Sequence, residues 1–437
     1  MKNAPFRFVN IRRSTCVSIL ALGLIFAAAG MASAQSFIVL HSFTGQGDGA
    51  WPMAGLTVDQ AGNVYGTSTL GGNVSCSYTE FAGCGTVFKL ARHNSSWLFS
   101  TLYAFNGGGD GANPLTPVTF GPDGNLYGTT ASGGYACNID GCGTVFKLQP
   151  QPTFCRSVSC PWRKTELYQF TGQADGAGPA TGSLTFDATG NIYGTSGGLT
   201  SQYPSAVVYE LSKSAGSWNF STVYSFSGDQ AGYPFAGVVF DRQGNLWGSM
   251  NAGGLVQCGS LPQYNSCGVL FKLTPSGSGW TESAVVQFSD ATGGNPFGNL
   301  LFDNAGNIYG TVSDNGPSGG GAVYKLNAAG LQSPNVLYGF PTPGEPMDSV
   351  AMDAAGNLYG TTLYGGMHNL GTVFKLTPSN GGWTYIDLHD FTGGSDGQYP
   401  QAKVTLDSAG NIYGIALQGG SQNCHGGCGT VWEITGQ

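Results

Sequence analysis

Residues 124–128 read Gly-Asn-Leu-Tyr-Gly, and the pattern of Gly, Asn, an aliphatic residue, an aromatic residue and Gly occurs seven times. Its asparagines are Asn63, Asn125, Asn191, Asn245, Asn307, Asn357 and Asn411. A unit repeated along nearly a whole chain builds one architecture from similar parts, because each copy must bury its apolar surface against its neighbours. The recurrence therefore predicts one repeat domain and not several independent ones.

Every copy of the motif belongs to a unit of four short segments, which we call A, B, C and D. The motif itself is segment B, residues 56–59 illustrate A, residues 85–90 illustrate C, and residues 102–105 illustrate D. Short runs of Val, Leu, Thr, Tyr and Phe between Gly, Asn, Asp and Pro are typical of antiparallel strands. Between A and B lies Asp-x-x-Gly-Asn, a tight turn in which Asp caps and Gly supplies a positive φ. The second unit departs from this pattern, with Gly121 in place of the Asp and Asp123 two residues later.

The two ends of the chain decide how such sheets are arranged. Residues 37–43 form a D segment with no A, B or C before it, and the last unit ends in a C segment, residues 431–434, with no D after it. The first segment is therefore expected to complete the last sheet and close a ring, which leaves only short, protected edges. We predict an all-β fold, a single seven-bladed β-propeller over residues 35–437, closed by the N-terminal strand pairing with the last three strands.

Residues 1–34 have the pattern of a secretory signal peptide. Lys2, Arg7, Arg12 and Arg13 form a basic start, residues 17–32 an apolar stretch, and Ala32-Ser33-Ala34 a small-residue cleavage site. We expect cleavage after Ala34, no membrane insertion afterwards, and a secreted, periplasmic or extracellular location.

Charge narrows the classes of partner. The chain has 16 Lys and Arg against 24 Asp and Glu, a net charge of −8, and the basic leader makes the mature part more acidic still. Because clustered basic residues are needed to bind phosphates, nucleic acid and anionic lipid are excluded as expected partners. We expect a monomer without a cofactor.

One bacterial repeat family shares these motifs. Residues 124–130, Gly133-Gly134 and residues 143–148 together resemble the tandem repeat named GloVer, which is found in exported proteins. The resemblance covers nearly all of the mature chain and implies export. Relatives often end in a surface-sorting segment, whereas this chain ends at Gln437 directly after a strand, so surface anchoring is not carried over. The resemblance implies no activity and no catalytic residues.

Strand order predicts which face carries variable loops. In an antiparallel meander, the D-to-A and B-to-C connections leave on one face, and the A-to-B and C-to-D connections leave on the other. The A-to-B turns are minimal and the B-to-C loops are long, for example residues 68–84 and 250–267. Because binding residues concentrate in loops on a rigid scaffold, we expect binding on the face with the B-to-C loops.

Ten cysteines of the mature chain fall into five near-neighbour pairs. An even number of close cysteines in an exported chain predicts local disulfides. Four of the pairs lie in B-to-C loops, and the pair Cys155 and Cys160 lies in a C-to-D loop. A metal site is the alternative, favoured only by His425 between two of the cysteines. The pairs are Cys76 and Cys84, Cys137 and Cys142, Cys155 and Cys160, Cys258 and Cys267, and Cys424 and Cys428.

The D-to-A connections contain a repeated acidic pattern. Four of them carry an Asp-Gly followed by Pro, and these aspartates are Asp48, Asp110, Asp175 and Asp396. One interpretation is that each Asp caps its own Gly-rich turn. The other is an acidic rim that binds a cation or a polar ligand such as a glycan, although no calcium-loop spacing is present.

Aromatic residues divide into two groups. One group occupies the same B-strand position in every unit, which predicts packing between blades: Tyr65, Tyr127, Tyr193, Trp247, Tyr309, Tyr359 and Tyr413. The other group lies in the variable loops, where packing between blades does not require it. These residues are candidates for ligand contact, and covering the local disulfide is the alternative role: Tyr78, Phe81, Tyr135, Tyr203, Tyr264 and Tyr364.

The leading functional hypothesis is a non-enzymatic binding or scaffold protein that presents disulfide-held loops to a glycan or an extracellular protein. The blades are similar to one another, whereas catalysis usually breaks such symmetry. The alternative is a polysaccharide lyase or hydrolase that uses the acidic residues of the same face. A third hypothesis is a structural component of the cell envelope. No catalytic residue is assigned, because an acid and a base would come from different blades.

Overall fold

The structure is a computed structural model. It describes residue 1 and residues 35–436, apart from 74–75, 77–82, 95, 135–136, 138–140, 152–161, 180–181, 198–205, 215, 227–231, 233, 257–265, 278 and 329–332. Seven four-stranded antiparallel sheets form a seven-bladed β-propeller, which confirms the predicted fold. Within the described ranges there is no α-helix, only a 3-10 turn at Gly108–Asp110, and no helix that could cross a bilayer.

The strands of each blade pair in the order A, B, C, D. Strands A are Thr57–Val58, Thr119–Phe120, Thr185–Phe186, Val239–Phe240, Gly294–Phe302, Ala351–Met352 and Thr405–Leu406. Strands B are Val64–Ser68, Leu126–Thr130, Ile192–Ser196, Leu246–Met250, Ile308–Asp314, Leu358–Thr362 and Ile412–Ala416. Strands C are Thr86–His93, Thr144–Gln149, Ala206–Ser214, Val269–Ser276, Gly319–Leu326, Thr372–Ser379 and Thr430–Thr435. Strands D of blades 1–6 are Ser96–Ala104, Arg163–Gln169, Ser217–Phe226, Gly279–Gln287, Asn335–Pro341 and Gly382–Asp390, and Ser36–Ser42 is that of blade 7.

Strand A is shorter than the sequence suggests in every blade but the fifth. The residues just before it line the central channel instead of pairing along their length with strand B. Neighbouring blades are close enough here to hydrogen-bond directly, since the Thr405 hydroxyl donates to the Leu56 carbonyl of the next blade at 2.5 Å. The innermost segments of neighbouring blades are therefore joined directly around the axis.

The N-terminal strand closes the ring, as predicted. It pairs antiparallel with strand C of blade 7, from Ser36 opposite Thr435 to Ser42 opposite Thr430. Its side chains also reach both neighbouring blades. The Phe37 ring stacks on His389 of blade 6, with ring centroids 3.7 Å apart, and the His41 ring stacks on Phe99 of blade 1 at 3.9 Å. One strand thus joins three blades.

The hydrophobic core lies between blades. Tyr65 of blade 1 packs edge-on against Phe120 of blade 2, with ring centroids 5.2 Å apart, and both belong to a cluster that includes Leu126 and Phe146. Comparable clusters join the other neighbouring blades. The interpretation of the repeated B-strand aromatic as inter-blade packing is confirmed for this residue, and the ring is held by burial of apolar surface.

The A-to-B turns have the predicted capping geometry. Asp59 accepts hydrogen bonds from the Asn63 side-chain amide at 2.7 Å and from the Tyr65 hydroxyl at 3.0 Å. In blade 2 the displaced Asp123 takes over this role, with the Tyr127 hydroxyl at 2.9 Å. The Asp, Asn and aromatic residues of the repeat therefore serve the turn itself.

Every strand D contains a one-residue bulge that sequence alone did not reveal. In blade 6, Phe374 lies opposite Asp387 and Val373 lies opposite His389, which leaves Leu388 without a partner. Such a bulge changes the direction of the side chains that follow it. The extra residues are Leu40, Leu102, Leu167, Val223, Val285, Leu337 and Leu388.

Candidate functional site

The four predicted Asp residues each lie in a D-to-A turn of one common geometry. In the first, the Thr44 backbone N–H and hydroxyl donate to the two oxygens of Asp48, at 2.9 and 2.5 Å. The backbone closes the same turn with a hydrogen bond from Gly45 N–H to the Gly49 carbonyl at 3.0 Å. Equivalent backbone donors reach the other carboxylates from Asn106, Thr171 and Thr392 at 2.8, 2.7 and 2.9 Å. This is the turn-capping arrangement of the first interpretation.

The bulge in strand D supplies one more donor to each carboxylate. The residue that follows the bulge turns its ring towards the Asp of the adjoining turn. The distances are 3.1 Å from His41 to Asp48, 2.7 Å from Tyr103 to Asp110, 2.9 Å from Tyr168 to Asp175, and 3.2 Å from His389 to Asp396. The end of strand D and the turn after it are thus one hydrogen-bonded unit.

Asp110 also forms an ion pair. The Lys164 ammonium, from strand D of blade 2, lies 3.0 Å from the Asp110 carboxylate, and only 5% of the lysine side chain is exposed. Because both partners are largely shielded from water, this pair ties blade 2 to the turn that leads into it.

Hydrogen bonding favours the ionised form of three of these carboxyl groups, those of Asp48, Asp110 and Asp396. Burial alone would raise the pKa of Asp48, but the hydrogen bonds from His41 and Thr44 outweigh burial and lower that pKa. Burial would also raise the pKa of Asp110, but hydrogen bonds from Tyr103 and Lys164 and the charge of Lys164 outweigh it and lower that pKa. For Asp396, hydrogen bonds from Thr392 and His389 outweigh burial and lower the pKa. Direct ligand binding by these aspartates stays a prediction.

Disulfides pack directly on these turns. A Cβ added at Gly45 would lie 2.8 Å from Cys424 Sγ, and one at Gly107 would lie 2.6 Å from Cys76 Sγ. In blade 6, whose B-to-C loop contains no cysteine, Leu370 takes the equivalent place, 2.8 Å from a Cβ at Gly393. Each of these turns therefore rests on an anchor in the B-to-C loop of the blade that precedes it.

Three of the five predicted disulfides are formed: Cys76–Cys84, Cys137–Cys142 and Cys424–Cys428, with Cα atoms 5.2, 5.6 and 5.0 Å apart. The last of them takes both cysteines of the segment that suggested a metal. Cys267 is also disulfide-bonded, but its predicted partner Cys258 and the pair Cys155 and Cys160 lie outside the described residues. No group of three or more His, Cys, Asp or Glu able to hold a metal occurs in the described part of the chain.

The B-to-C loops also contact the turn in front of them. Gly72, Gly134 and Gly420 donate their N–H groups to Gln46, Gly108 and Gly394 at 2.6, 2.8 and 2.9 Å. Turns 44–49, 106–111 and 392–397 are thus each held between two loops, and with turn 171–176 they form a continuous arc from the junction of blades 6 and 7 to that of blades 2 and 3. We call this surface the loop face; it comprises turns 44–49, 106–111, 171–176 and 392–397 with the three described disulfides.

Of the predicted loop aromatics, the structure describes one. Tyr364 lies half-exposed in the B-to-C loop of blade 6 and packs edge-on against Tyr399, with ring centroids 5.5 Å apart. Ligand contact by Tyr364 is untested. The remaining candidates fall outside the described residues: Tyr78, Phe81, Tyr135, Tyr203 and Tyr264, and so does the predicted signal peptide beyond residue 1.

The family model of the Gloeobacter/Verrucomicrobia repeat matches residues 21–262 and 259–437. The chain belongs to this repeat family. The resemblance inferred from the GloVer-type motifs is thereby confirmed. No curated protein matches the chain.

Several solved structures are similar to this member of the Gloeobacter/Verrucomicrobia repeat family at low sequence identity. A gluconolactonase from Xanthomonas campestris is 15% identical, with TM-score 0.40, over 75% of this chain and 90% of that one. A protein of unknown function from Dyadobacter fermentans is 12% identical, with TM-score 0.46, over 80% and 96%. PorZ, a surface component of the type-IX secretion system of Porphyromonas gingivalis, is 14% identical, with TM-score 0.49, over 89% of this chain and 46% of PorZ.

The central channel holds two charged residues that sequence reasoning missed, Asp348 and Lys403. A comparison of equivalent positions in the seven units identifies both residues from the sequence. Two positions shortly before the A-to-B turn carry them. Four residues before the first residue of that turn, the seven blades have Gly55, Pro117, Ser183, Gly237, Asn299, Ser349 and Lys403. Five residues before it, they have Ala54, Thr116, Gly182, Ala236, Gly298, Asp348 and Ala402. A charge at one copy of an otherwise uncharged position marks a departure from the repeat.

A carboxyl pair on the outermost strand of blade 6 was also missed. Asp387 and Asp390 are three residues apart, a spacing that places side chains on opposite faces of a regular strand. The bulge at Leu388 brings them together. Burial first, and then the charge of Asp390, raises the pKa of Asp387 to about 6.

Asp387→Asn is expected to stabilise the protein at pH 8 and to have little effect near pH 4. The folded-state pKa of Asp387 lies above its ordinary value of 3.8, so stability is lost as pH rises through about 6 and two like charges face each other. Because Asp387 is only partly shielded from water, solvent screening reduces the gain to about 1 kcal/mol. Urea unfolding at the two pH values measures this difference.

Asp353→Asn is the matched control in the same blade. Burial raises the pKa of Asp353, but hydrogen bonds from Asn357 and Tyr359 outweigh burial and lower it. This group contributes stability above its unfolded pKa, so the variant should be destabilised at pH 8. Equal effects of the two variants at pH 8 would contradict the assignment of the Asp387–Asp390 pair.

Proposed function

We propose that this protein is an exported binding protein that engages a glycan or an extracellular protein through the loop face, without catalysing a reaction. The observation that carries the proposal is the packing of disulfides against the Asp turns, as at Gly45 and Gly107. Loops fixed before binding lose less conformational entropy when a partner arrives, so a rigid arc favours recognition. The disulfides fit an oxidising compartment, in agreement with the predicted signal peptide.

The carboxylates of the loop face support binding over acid catalysis. A general acid must hold a proton near the working pH, which requires a raised pKa. The pKa values of Asp48, Asp110 and Asp396 are lowered instead, and each of these carboxylates already accepts several hydrogen bonds. The alternative, a polysaccharide lyase or hydrolase acting through these acids, would have to break the turns that they stabilise.

The proposal is tested by exposing residues 35–437 to a glycan array and by pull-down from culture supernatant. We expect a partner at micromolar concentration, and we expect Asp48→Asn to weaken its binding by about tenfold, since a loosened turn must be reordered on binding. Asp303→Asn is the matched control, because Asp303 caps an A-to-B turn on the opposite face with comparable hydrogen bonds.

Absence of any partner at micromolar concentration, or equal loss of binding in the two variants, would count against the loop face. Cleavage of a polysaccharide by the protein, abolished by Ala at Asp48, Asp110, Asp175 and Asp396, would favour the enzymatic alternative.

A further inference from the structure

A cavity of about 390 Å³ lies on the propeller axis. Residues of all seven blades line it, within strand A in blade 5 and at or just before strand A in the others, and most of the large side chains among them are apolar. We call Met53, Leu115, Phe235, Phe297 and Met347 the apolar collar. The Phe235 and Phe297 rings stack with centroids 5.1 Å apart. This volume and this lining are those of a small-molecule site.

Asp348 of blade 6 is fixed at the wall of this cavity. Its carboxylate accepts the Ser349 N–H at 2.6 Å and the Lys403 backbone N–H at 2.9 Å. Its carbonyl accepts the Thr311 hydroxyl at 2.9 Å. Both carboxylate oxygens therefore have a backbone donor, and the second of these hydrogen bonds ties blade 6 to blade 7.

The Lys403 ammonium is in a different situation. The side chain is surrounded by protein but half-exposed to the channel. No carboxylate within ion-pair distance and no hydrogen-bond acceptor for the ammonium is found among the described residues. Burial lowers the pKa of Lys403, and the nearby charge of Asp348 opposes this effect only in part. A partly buried charge with no direct partner costs stability, so its presence at one blade of seven indicates a use.

We propose that the central cavity binds a small organic carboxylate, whose anionic group contacts the Lys403 ammonium and whose apolar body lies against the apolar collar. This site is distinct from the loop face of the proposed function, because it lies on the propeller axis and binds a small molecule. A carboxylate fits better than a phosphate ester, since the described residues of the lining contribute one cation, Lys403, and no arginine. A cationic ligand is disfavoured, because Lys403 repels it while Asp348 already holds two donors.

Two pairs of probes test the proposal: benzoate with benzamide, and hexanoate with hexanamide. Each pair has the same apolar body with and without the negative charge. By calorimetry at pH 7, we expect a carboxylate Kd of about 1 mM or tighter and binding of the amides at least about tenfold weaker. Lys403→Met should remove this preference, and Lys403→Arg should retain it.

Lys375→Met is the matched control, because the Lys375 ammonium lies over the Tyr359 ring, 5.3 Å from its centroid, outside the cavity lining. It removes the same charge and should leave carboxylate binding unchanged. Equal affinity for carboxylates and amides, or unchanged binding by Lys403→Met, would overturn the proposal.

A spectroscopic measurement keeps the proposal testable even if Lys403→Met does not fold. Reductive methylation with ¹³C-formaldehyde labels the lysines, and the Lys403 signal shows its pKa by NMR titration. Bound carboxylate should raise that pKa, since a nearby negative charge favours the ammonium. A Lys403 signal that does not change with saturating benzoate or hexanoate contradicts the site. Because the loop face is not involved, this failure would leave the proposed function untouched.

Discussion

Deletion of residues 36–43 is expected to abolish the cooperative unfolding of the propeller. The deletion removes the pairing of Ser36–Ser42 with Thr430–Thr435 and takes Phe43, whose side chain is fully buried, out of the core between blades 7 and 1. Loss of a buried Phe alone costs about 3 to 5 kcal/mol. Domains are stable by only about 5 to 15 kcal/mol in total. Urea unfolding followed by tryptophan fluorescence measures the loss.

The deletion should also cause self-association. Strand C of blade 7 becomes an unpaired edge, and such edges recruit strands from other molecules. A synthetic peptide of residues 36–44 should restore both the monomer and the unfolding transition, whereas a peptide of the same composition in scrambled order should not. Sedimentation velocity separates these results. A truncated protein that stays monomeric and unfolds at the same urea concentration as the full-length chain would contradict ring closure by this strand.

Phe43→Ala gives a milder form of the same test. Phe170, in the equivalent position of blade 2, is also fully buried, but its strand D belongs to a continuous part of the chain. If the N-terminal strand is an ordinary fourth strand, the two Ala variants should lose similar stability. A much smaller loss at Phe43 would show that closure contributes little.

The architecture could be predicted because it depends on features that repeat. Seven copies of the Gly-Asn motif predict seven blades. The first unit begins with an extra D segment and the last unit lacks one, which predicts that the N-terminal strand closes the ring. Both inferences need only strand patterns and the requirement that sheet edges be paired. The inter-blade role of Tyr65 followed in the same way, since an aromatic in every copy cannot be there for one ligand.

Features that depend on local backbone irregularity could not be predicted. The Leu-Tyr and Leu-His pairs of strand D look like ordinary strand residues, yet a bulge at the Leu turns Tyr103 or His389 towards an Asp of the next turn. The same bulge joins Asp387 to Asp390. A prediction from sequence assumes that successive side chains of a strand point to opposite faces of the sheet. One extra residue in a bulge reverses the predicted face of every side chain beyond it.

The charged pair of the channel was missed for another reason. Repeats direct attention to what the copies share, whereas Asp348 and Lys403 are informative because six other blades lack a charge there. The loop aspartates, which do recur, are engaged in their own turns. In a repeat protein, recurring residues thus maintain the scaffold, and residues unique to one blade are the better candidates for function.

The second glycine of the motif is the other position where a large effect is expected. In blade 6, a Cβ on Gly360 would lie 2.6 Å from Cζ of Phe374, whose ring crosses strand B at this point. Real Cβ atoms do not approach a ring carbon so closely, and Phe374 is itself fully buried between blades 5 and 6. Gly360→Ala should therefore destabilise the protein by about 3 kcal/mol, measured by urea unfolding.

Two further variants separate this steric effect from a general intolerance of alanine. Gly382→Ala lies in the same blade at the start of strand D, where an added Cβ meets nothing within 4 Å, so it should change stability little. Phe374→Leu shortens the side chain that Gly360 accommodates. The double variant should then lose less stability than the sum of its two single variants, because the removed ring carbon can no longer clash. If the stability losses of the two single variants simply add, the Phe374 ring is not the reason that position 360 requires glycine. The same relation holds between Gly128 and Phe146 and between Gly414 and Trp432, so the result extends to the other blades.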